Sequence, residues 1–283
     1  MIRFYKANIQ YLADHATDPD KRRYAVLEEG PRHYIDMDHY GAFPFTDLPR
    51  SWDKAKEKFS EDSLQSHGIA PWWIQIMYRR LINSFKDKDA RGILKNSSDL
   101  GHYLGDIHVP LHTSSNHNGQ KTGQTGIHGF WESRLPEMFA TEQYDMVIGK
   151  AGFIKDPLGF TWSRISESAL ASDSVLRMEK MLSSSMSQDK RFAYEERNGV
   201  VVRQYSSAYA KKYHQVMNGM VERRMRSAIF TVASFWYSAW VEAGQPDLKA
   251  LVMKELSMDE QAEMDSLQRA WNTGKIMGRS CTN

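Results

Sequence analysis

The sequence predicts an all-α fold, organised as a single multi-helix domain over residues 1–283. Apolar side chains recur at the spacing of an amphipathic helix in most segments. No alternating apolar and polar run extends beyond a few residues, so no substantial sheet is expected. A chain of 283 residues, 41% of them hydrophobic, can bury a sizeable core, and the fold does not need metal to hold it together.

The first helices are predicted from apolar spacing and from the positions of prolines. Residues 3–15 form an amphipathic pattern, which the "TDPD" stretch breaks at Pro19. Residues 70–85, "APWWIQIMYRRLINSF", place Pro71 in a first helical turn, where a missing N–H is tolerated. The apolar residues of this segment then follow an i, i+4 stripe, namely Trp73, Met77, Leu81 and Phe85.

A helix is also predicted over residues 90–108, "ARGILKNSSDLGHYLGDIH". Pro110 ends or kinks this helix, because proline lacks the N–H that would bond back to the carbonyl of Asp106. Residues 113–127 are rich in Gly, Asn and Thr and are predicted to form a loop. The stretch "HGFWESRLPEMF" then restarts a helix.

The second half of the chain is predicted to continue as helices. They are expected over 160–185, 203–242 and 258–275. The stretch "ERNGVV" (196–201) has the composition of a connector. The motif-bearing core of the domain therefore spans residues 20–140, and a helical C-terminal part spans residues 155–275.

Composition and charge restrict the classes of function. The formal net charge is +2 and the pI about 8.4, so no strong field attracts nucleic acid or an anionic membrane. The longest mostly apolar run, residues 227–241, is shorter than the ~20 residues that a bilayer requires. We therefore expect no stable membrane insertion, and no obligate protein partner is evident. The lone cysteine, Cys281, excludes an intrachain disulfide framework.

The stretch "LGHYLGDIHVPLH", residues 100–112, concentrates histidine and aspartate. On a helix each residue turns by about 100°, so His102 and Asp106 lie on one face, one turn apart. His108 should point away from that face. The kink at Pro110 can return His112 towards Asp106.

A second pair at the same spacing, His128 and Glu132, opens the next helix. Zinc takes imidazole nitrogen and carboxylate oxygen as ligands, usually three or four per ion. These residues together with His112 therefore indicate more than one ion, in a metal cluster in a cleft between helices. For His102 and Asp106 taken alone, a hydrogen-bonded structural pair is an equal alternative.

Further ligand-type residues lie upstream. The stretch "HYIDMDHYG" (33–41) contains Asp36 and Asp38 in a predicted loop, and "SHGIAPWW" (66–73) places His67 just before a helix. Spacing alone leaves Asp36 and His67 open between metal binding and a structural role. Several other histidines are assigned to packing or to the surface, namely His15, His39, His108, His117 and His214.

Together, "HYLGDIHVPLH" and "GIHGFWE" resemble the motif of the superfamily of zinc-dependent phospholipases C and single-strand-specific zinc nucleases. The resemblance extends upstream through "HYID" and "HG-x-x-PW" and covers about residues 20–140. It implies an all-helical phosphodiester hydrolase with three zinc ions in a cleft. Glu132, where aspartate is the alternative, and the short loop before His128 lean slightly towards the phospholipase branch.

The resemblance also implies the ligands of two ions. One ion would be held by Asp36, His67, His102 and Asp106, and the other by His112, His128 and Glu132. The third ion of the superfamily is held by an N-terminal tryptophan and a nearby histidine. This chain begins with Met1 and has no tryptophan before Trp52, so we do not transfer that role to His15. Two zinc sites are thus supported by the sequence.

The first residues differ in a second way from what the resemblance implies. Members of the superfamily are typically exported, whereas Met1 to Lys6 are followed by mixed polar residues and not by the apolar segment of a signal peptide. We therefore expect that the start of the chain is truncated and that the intact protein is periplasmic or extracellular.

The expected reaction is hydrolysis of a phosphodiester by metal-activated water. Asp36 is the candidate catalytic residue that orients or deprotonates this water. Three aromatic residues flank the ligands and could contact a base or a choline-like head group, namely Tyr34, Trp72 and Trp131, although core packing is their alternative. The substrate is a phospholipid head group or single-stranded nucleic acid. The different alternative is a helical zinc-binding protein that is catalytically impaired because the third site is missing.

Overall fold

The computed structural model describes residues 1–197, 199–251 and 258–279, and most of them are α-helical. The α-helices are α1 (Ile2–Ala7), α2 (Ile9–His15), α3 (Asp18–Arg22), α4 (Trp52–Phe59), α5 (Glu61–His67), α6 (Ala70–Lys86), α7 (Ala90–Asp106), α8 (Ile127–Gly129), α9 (Leu135–Gln143), α10 (Pro157–Ser184), α11 (Gln188–Arg191), α12 (Ser207–Val216), α13 (Met220–Glu242) and α14 (Met258–Asn272). The 3₁₀ segments are Leu27–His33, Met37–Tyr40 and Pro110–Thr113, and Phe130–Arg134 is a π-helical turn. The predicted all-α fold class is confirmed.

The N-terminal helix is interrupted, which corrects the prediction of one continuous helix over 3–15. The break lies at Asn8, whose backbone leaves the helical region with φ −116° and ψ 22°. Its side-chain amide donates to the carbonyl of Phe4 at 2.8 Å. Asparagine competes in this way with the helical backbone bonds, so the helix ends and restarts.

The helices α6 and α7 form the frame that carries the site. They follow each other after a short connection at residues 87–89 and pack together, and α13 packs on both. Their apolar stripes are buried in one core, with Leu81, Phe85 and Tyr103 fully covered. As predicted, α7 ends before Pro110, and α10 begins at a proline whose preceding Asp156 caps the helix by accepting from the N–H of Gly159 at 2.9 Å.

One hairpin contradicts the expectation that residues 196–201 are a connector and that 203–242 is a single helix. Strand β1 (Phe192–Arg197) pairs antiparallel with β2 (Val200–Tyr205), with Phe192 opposite Tyr205 and Arg197 opposite Val200. The consecutive valines and the glycine in "NGVVV" favour such a hairpin. The remaining helical stretch is divided again where Asn218 and Gly219 adopt positive φ.

The hairpin and α12 close a second hydrophobic cluster beside the site. Phe130 stacks on Tyr205 and on Tyr213, with ring centroids 4.0 and 5.1 Å apart. The cluster also contains Trp131, which is 3% exposed. It therefore supports the π-helical turn that carries Glu132.

The C-terminal helix packs on the N-terminal part of the molecule. The ring of Trp271 on α14 meets that of Tyr24 at 4.9 Å, and the N–H of Met277 donates to the carbonyl of Arg23 at 2.9 Å. Cys281 lies outside the described residues. Among those that are described, no helix combines the length and the apolar character needed to cross a membrane.

Candidate metal centre

Helix α7 carries the first pair of predicted ligands on one face, as its spacing requires. The Nε2 atom of His102 lies 3.4 Å from the Oδ2 atom of Asp106, which is 6% exposed. The other ring nitrogen of His102, Nδ1, lies 2.9 Å from the carbonyl oxygen of Ala16 and donates to it. This bond fixes the ring so that Nε2 faces Asp106.

A second group joins the residues after Pro110. The Nε2 atoms of His112 and His128 are 2.9 Å apart, and Glu132 Oε2 lies 3.4 and 2.7 Å from them. These three atoms form a compact triangle of ligand atoms. His112 also faces Asp106, with Nδ1 at 3.5 Å from Oδ1, so the two groups are neighbours.

The chain positions this second group through backbone bonds. The N–H of Ile35 donates to the carbonyl of His112 at 2.9 Å, and His112 Nδ1 donates to the carbonyl of His33 at the same distance. In the loop, the Oδ1 atom of Asn118 accepts from the N–H groups of Gly126 and His128 at 3.0 and 3.3 Å. The side chain of Asn118 thus ties the polar loop predicted over 113–127 to the first residues of the helix that bears His128.

Two residues that were not predicted lie with His102 and Asp106. The Nδ1 atom of His33 is 3.0 Å from Asp106 Oδ2 and 3.1 Å from His102 Nε2. Asp20 Oδ1 lies 3.8 and 3.7 Å from the same two imidazole nitrogens. One sequence signal could have revealed His33, because Glu29 precedes it at the i, i+4 spacing of the other pairs. The intervening Gly30 and Pro31 conceal the helical turn there.

Asp36 and His67 are adjacent to each other but belong to neither group. The Nδ1 atom of His67 lies 3.3 Å from Asp36 Oδ2, and the Asp36 N–H donates to the His67 carbonyl at 2.7 Å. The guanidinium of Arg279 donates to both carboxylate oxygens of Asp36, at 2.8 and 3.0 Å. The ring of His67 stacks on that of His39, with centroids 3.4 Å apart.

The donor set fits zinc. Zinc bonds to nitrogen and oxygen ligands are about 2.0–2.1 Å long, so neighbouring ligands of a tetrahedral ion lie about 3.3 Å apart. The separations of 2.7 to 3.4 Å among His112, His128 and Glu132 match that spacing. Backbone carbonyls hold the non-coordinating nitrogens of His102 and His112, as is typical for zinc-bound histidines.

The electrostatics of both groups favour ionised carboxylates. Burial acts to raise the pKa of Asp106, but His102, His112 and His33 lower it overall. His112 and His128 likewise hold the pKa of Glu132 well below its usual range against the effect of desolvation. Burial lowers the pKa of His33, and its bonds to Asp106 and Glu29 outweigh this and raise it to about 9. The carboxylates therefore stay ionised because they face the histidines, and a bound cation would take the place of the histidine protons.

A cavity of about 540 Å³ opens beside the centre. His102, Asp106, Glu132 and Asp20 line it together with other polar residues such as Arg224, and apolar side chains form most of its wall. These apolar residues include Leu12, Val109, Trp131, Met225, Val232 and Trp236.

The three candidate substrate residues differ in their surroundings. Trp131 lines the cavity beside Glu132. Tyr34 lies under the guanidinium of Arg279, at 4.1 Å. Trp72 is 6% exposed in the core between other tryptophans, and its indole N–H donates to the carbonyl of Arg50 at 2.8 Å. Its surroundings are those of a packing residue.

The histidines assigned to packing or the surface lie in varied environments. His108 is 2% exposed and donates through Nδ1 to the carbonyl of Leu104 at 2.7 Å, with Nε2 at 3.1 Å from the hydroxyl of Thr231. His214 stacks on Tyr144, and His15 pairs with Asp18. His117 contacts Arg279 at the rim of the centre.

The match to a family model agrees with this geometry. A model described as S1/P1 Nuclease matches residues 3–228, which include all seven predicted metal ligands. A search among curated proteins finds no match. The family consists of zinc-dependent phosphodiester hydrolases with an all-α fold. Because the match covers most of its length, the chain belongs to the S1/P1 nuclease family.

Proposed function

We propose that this protein hydrolyses the phosphodiester bonds of single-stranded nucleic acid in a zinc-dependent reaction. One observation carries the proposal, the convergence of two histidine–carboxylate groups around Asp106 beside a cavity. Clustered zinc ions supply charge neutralisation for the phosphate and for the leaving oxygen, and they lower the pKa of water. The nucleic-acid substrate is supported by the family to which the chain belongs.

The proposed ligands of one ion are His112, His128 and Glu132. Three protein ligands leave a fourth position open, which is the arrangement of catalytic and not of structural zinc. The second ion is assigned to His102 and Asp106, beside which His33 and Asp20 also offer ligand atoms. Asp36 and His67, which the resemblance adds, lie outside this group.

Asp36 is the proposed residue that orients or deprotonates the attacking water. Its carboxylate is 4% exposed and is fixed by the backbone bond between its N–H and His67. Arg279 now occupies both of its oxygens, so it must yield at least one of them before Asp36 can accept a proton. Arg279 is held close by through its bond to the carbonyl of Ser114 and its position over Tyr34.

A phospholipid head group is the second candidate substrate, as in a phospholipase C. The cavity supports it, because apolar side chains cover most of its wall and could receive the hydrophobic part of a lipid. Glu132 also favours a phospholipid substrate, because the resemblance associates glutamate at this position with the phospholipase branch.

The proposed compartment is the periplasm or the extracellular space, which is typical of the family.

The experiment compares single-stranded DNA with phosphatidylcholine vesicles, each incubated with zinc-loaded protein. We expect cleavage of the DNA, loss of activity on removal of zinc by a chelator, and recovery when zinc is returned. The variant Asp36→Asn should lower kcat by about 10²-fold or more, because general base catalysis contributes about that much.

The controls separate the alternatives. His214→Gln, whose native ring stacks on Tyr144 and is not part of either ligand group, should leave the activity unchanged. If the protein hydrolyses the lipid but does not cleave DNA, its activity is that of a phospholipase C and not that of a nuclease. Zinc binding with hydrolysis of neither substrate would leave a helical zinc-binding protein and refute the proposal.

A further inference from the structure

The C-terminal segment lies across one side of the metal centre. We propose that residues 271–279, here called the strap, are autoinhibitory: Arg279 covers Asp36, and substrate reaches this carboxylate only after the strap has moved away. The inference rests on the proposed function, because it concerns the regulation of the same site. The strap lies outside the residues 3–228 that the family model matches, so the match assigns it no role.

The first argument is the position of the Arg279 guanidinium. It donates to both oxygens of Asp36, at 2.8 and 3.0 Å, and to the carbonyl of Ser114 at 3.2 Å. It also donates to Nδ1 of His117 at 2.5 Å and lies over the ring of Tyr34 at 4.1 Å. One side chain therefore occupies the proposed general base together with the groups around it.

The second argument is the lack of space beneath the strap. A cavity of about 20 Å³ lies between Arg279 and the ligand histidines His112 and His128. This volume holds about one water molecule and is too small for a phosphodiester. Asp36 is 4% exposed and is not among the residues that line the 540 Å³ cavity. Movement of the strap is therefore the direct way to expose Asp36 to substrate.

The third argument is that the strap is anchored mainly through this one side chain. Among the described side chains of residues 258–279, none is buried. The N–H of Met277 donates to the carbonyl of Arg23, and the guanidinium of Arg23 donates to the carbonyl of Arg279 at 3.0 Å. The side chain of Arg279 donates four further hydrogen bonds. A segment with so little buried surface opens at a small fraction of the global free energy of unfolding, and loss of these four bonds favours the open state.

The first part of the test measures opening of the strap without turnover. It compares Arg279→Ala with Arg269→Ala, a matched control because Arg269 is an exposed arginine on α14. Hydrogen exchange of the Met277 amide is followed by mass spectrometry of peptides from the strap. We expect this amide to exchange at least about tenfold faster in Arg279→Ala than in the wild type, because hydrogen bonds to charged groups are lost. Arg269→Ala should exchange like the wild type.

The second part separates a block from a catalytic role. A strap that must open before substrate binds raises KM by the inverse of the open fraction and leaves kcat unchanged. For cleavage of single-stranded DNA by zinc-loaded protein, we therefore expect Arg279→Ala to lower KM about tenfold at an unchanged kcat. Arg269→Ala should have the KM and kcat of the wild type.

Three results would overturn the inference while the wild type remains active and the proposed function stands. Unchanged exchange of the Met277 amide in Arg279→Ala would show that Arg279 does not hold the strap. Faster exchange with a lower kcat would make Arg279 a participant in the reaction and not an inhibitor. Faster exchange with unchanged KM and kcat would show that the strap does not obstruct the substrate. Failure of both the wild type and Arg279→Ala to hydrolyse DNA or lipid would instead refute the proposed function, and this inference with it.

Discussion

At the scale of single residues, His108 shows how position separates a packing histidine from a ligand. It belongs to the same stretch as His102 and His112, but it points into the core and bonds to Leu104 and Thr231. Burial and the nearby Arg224 lower the pKa of His108 to about 3. The ring is therefore neutral throughout the physiological range. Its angle on the helix predicted only that it points away from the ligand face, and the structure agrees.

This pKa predicts a pH dependence of stability. The unfolded chain binds a proton at His108 below about pH 6.5, whereas the folded chain does not bind it until about pH 3. The free energy of unfolding should therefore fall as the pH decreases from 6.5 towards 3, by up to about 1.4 kcal/mol per unit from this residue. Urea unfolding of chelator-treated wild type and His108→Gln at several pH values measures the difference. Equal slopes for the two proteins would contradict the account.

At the scale of elements, Asp36 and His67 are positioned by backbone hydrogen bonds between residues 34–36 and residues 67–70. The N–H of Asp36 bonds to the carbonyl of His67, and the N–H of Ala70 bonds to that of Tyr34 at 3.3 Å. Gly68 permits this approach. A Cβ atom at that position would lie 2.1 Å from the carbonyl oxygen of Tyr34, and φ is +93°.

Gly68→Ala should therefore destabilise the protein through both strain and steric conflict. The left-handed backbone alone costs about 1–3 kcal/mol, and the clash adds to it. Gly149→Ala is the matched control, because φ is +90° there and no atom lies within 4 Å of the added Cβ. Thermal or urea unfolding of both variants measures the two losses. If Gly68→Ala lowers the free energy of unfolding no more than Gly149→Ala does, the close approach of Gly68 to Tyr34 adds no steric cost.

Some elements of the fold and of the metal centre could be predicted from the sequence, and others could not. The pairs His102/Asp106 and His128/Glu132 were predictable because helical geometry alone brings residues four apart together. The hairpin over 192–205 was not recognised, because its strands are short and only weakly alternating. The break at Asn8 depends on one side-chain bond that apolar periodicity does not register.

At the scale of the whole molecule, the unpredicted contacts are those between distant parts of the chain. His33 meets Asp106 across 73 positions, and Arg279 meets Asp36 across 243. Local spacing carries no information about such contacts, since they depend on how α3, α7 and the C-terminal segment pack. The packed helices thus bring the motif residues together with groups that the motif does not contain.

We propose that this chain holds a zinc centre at the end of α7 and at the start of α8. The most direct measurement is zinc per chain, by elemental analysis of tag-free wild-type protein dialysed against trace zinc. The account predicts two ions per chain, one on each histidine–carboxylate group. A folded protein that binds no zinc would contradict it.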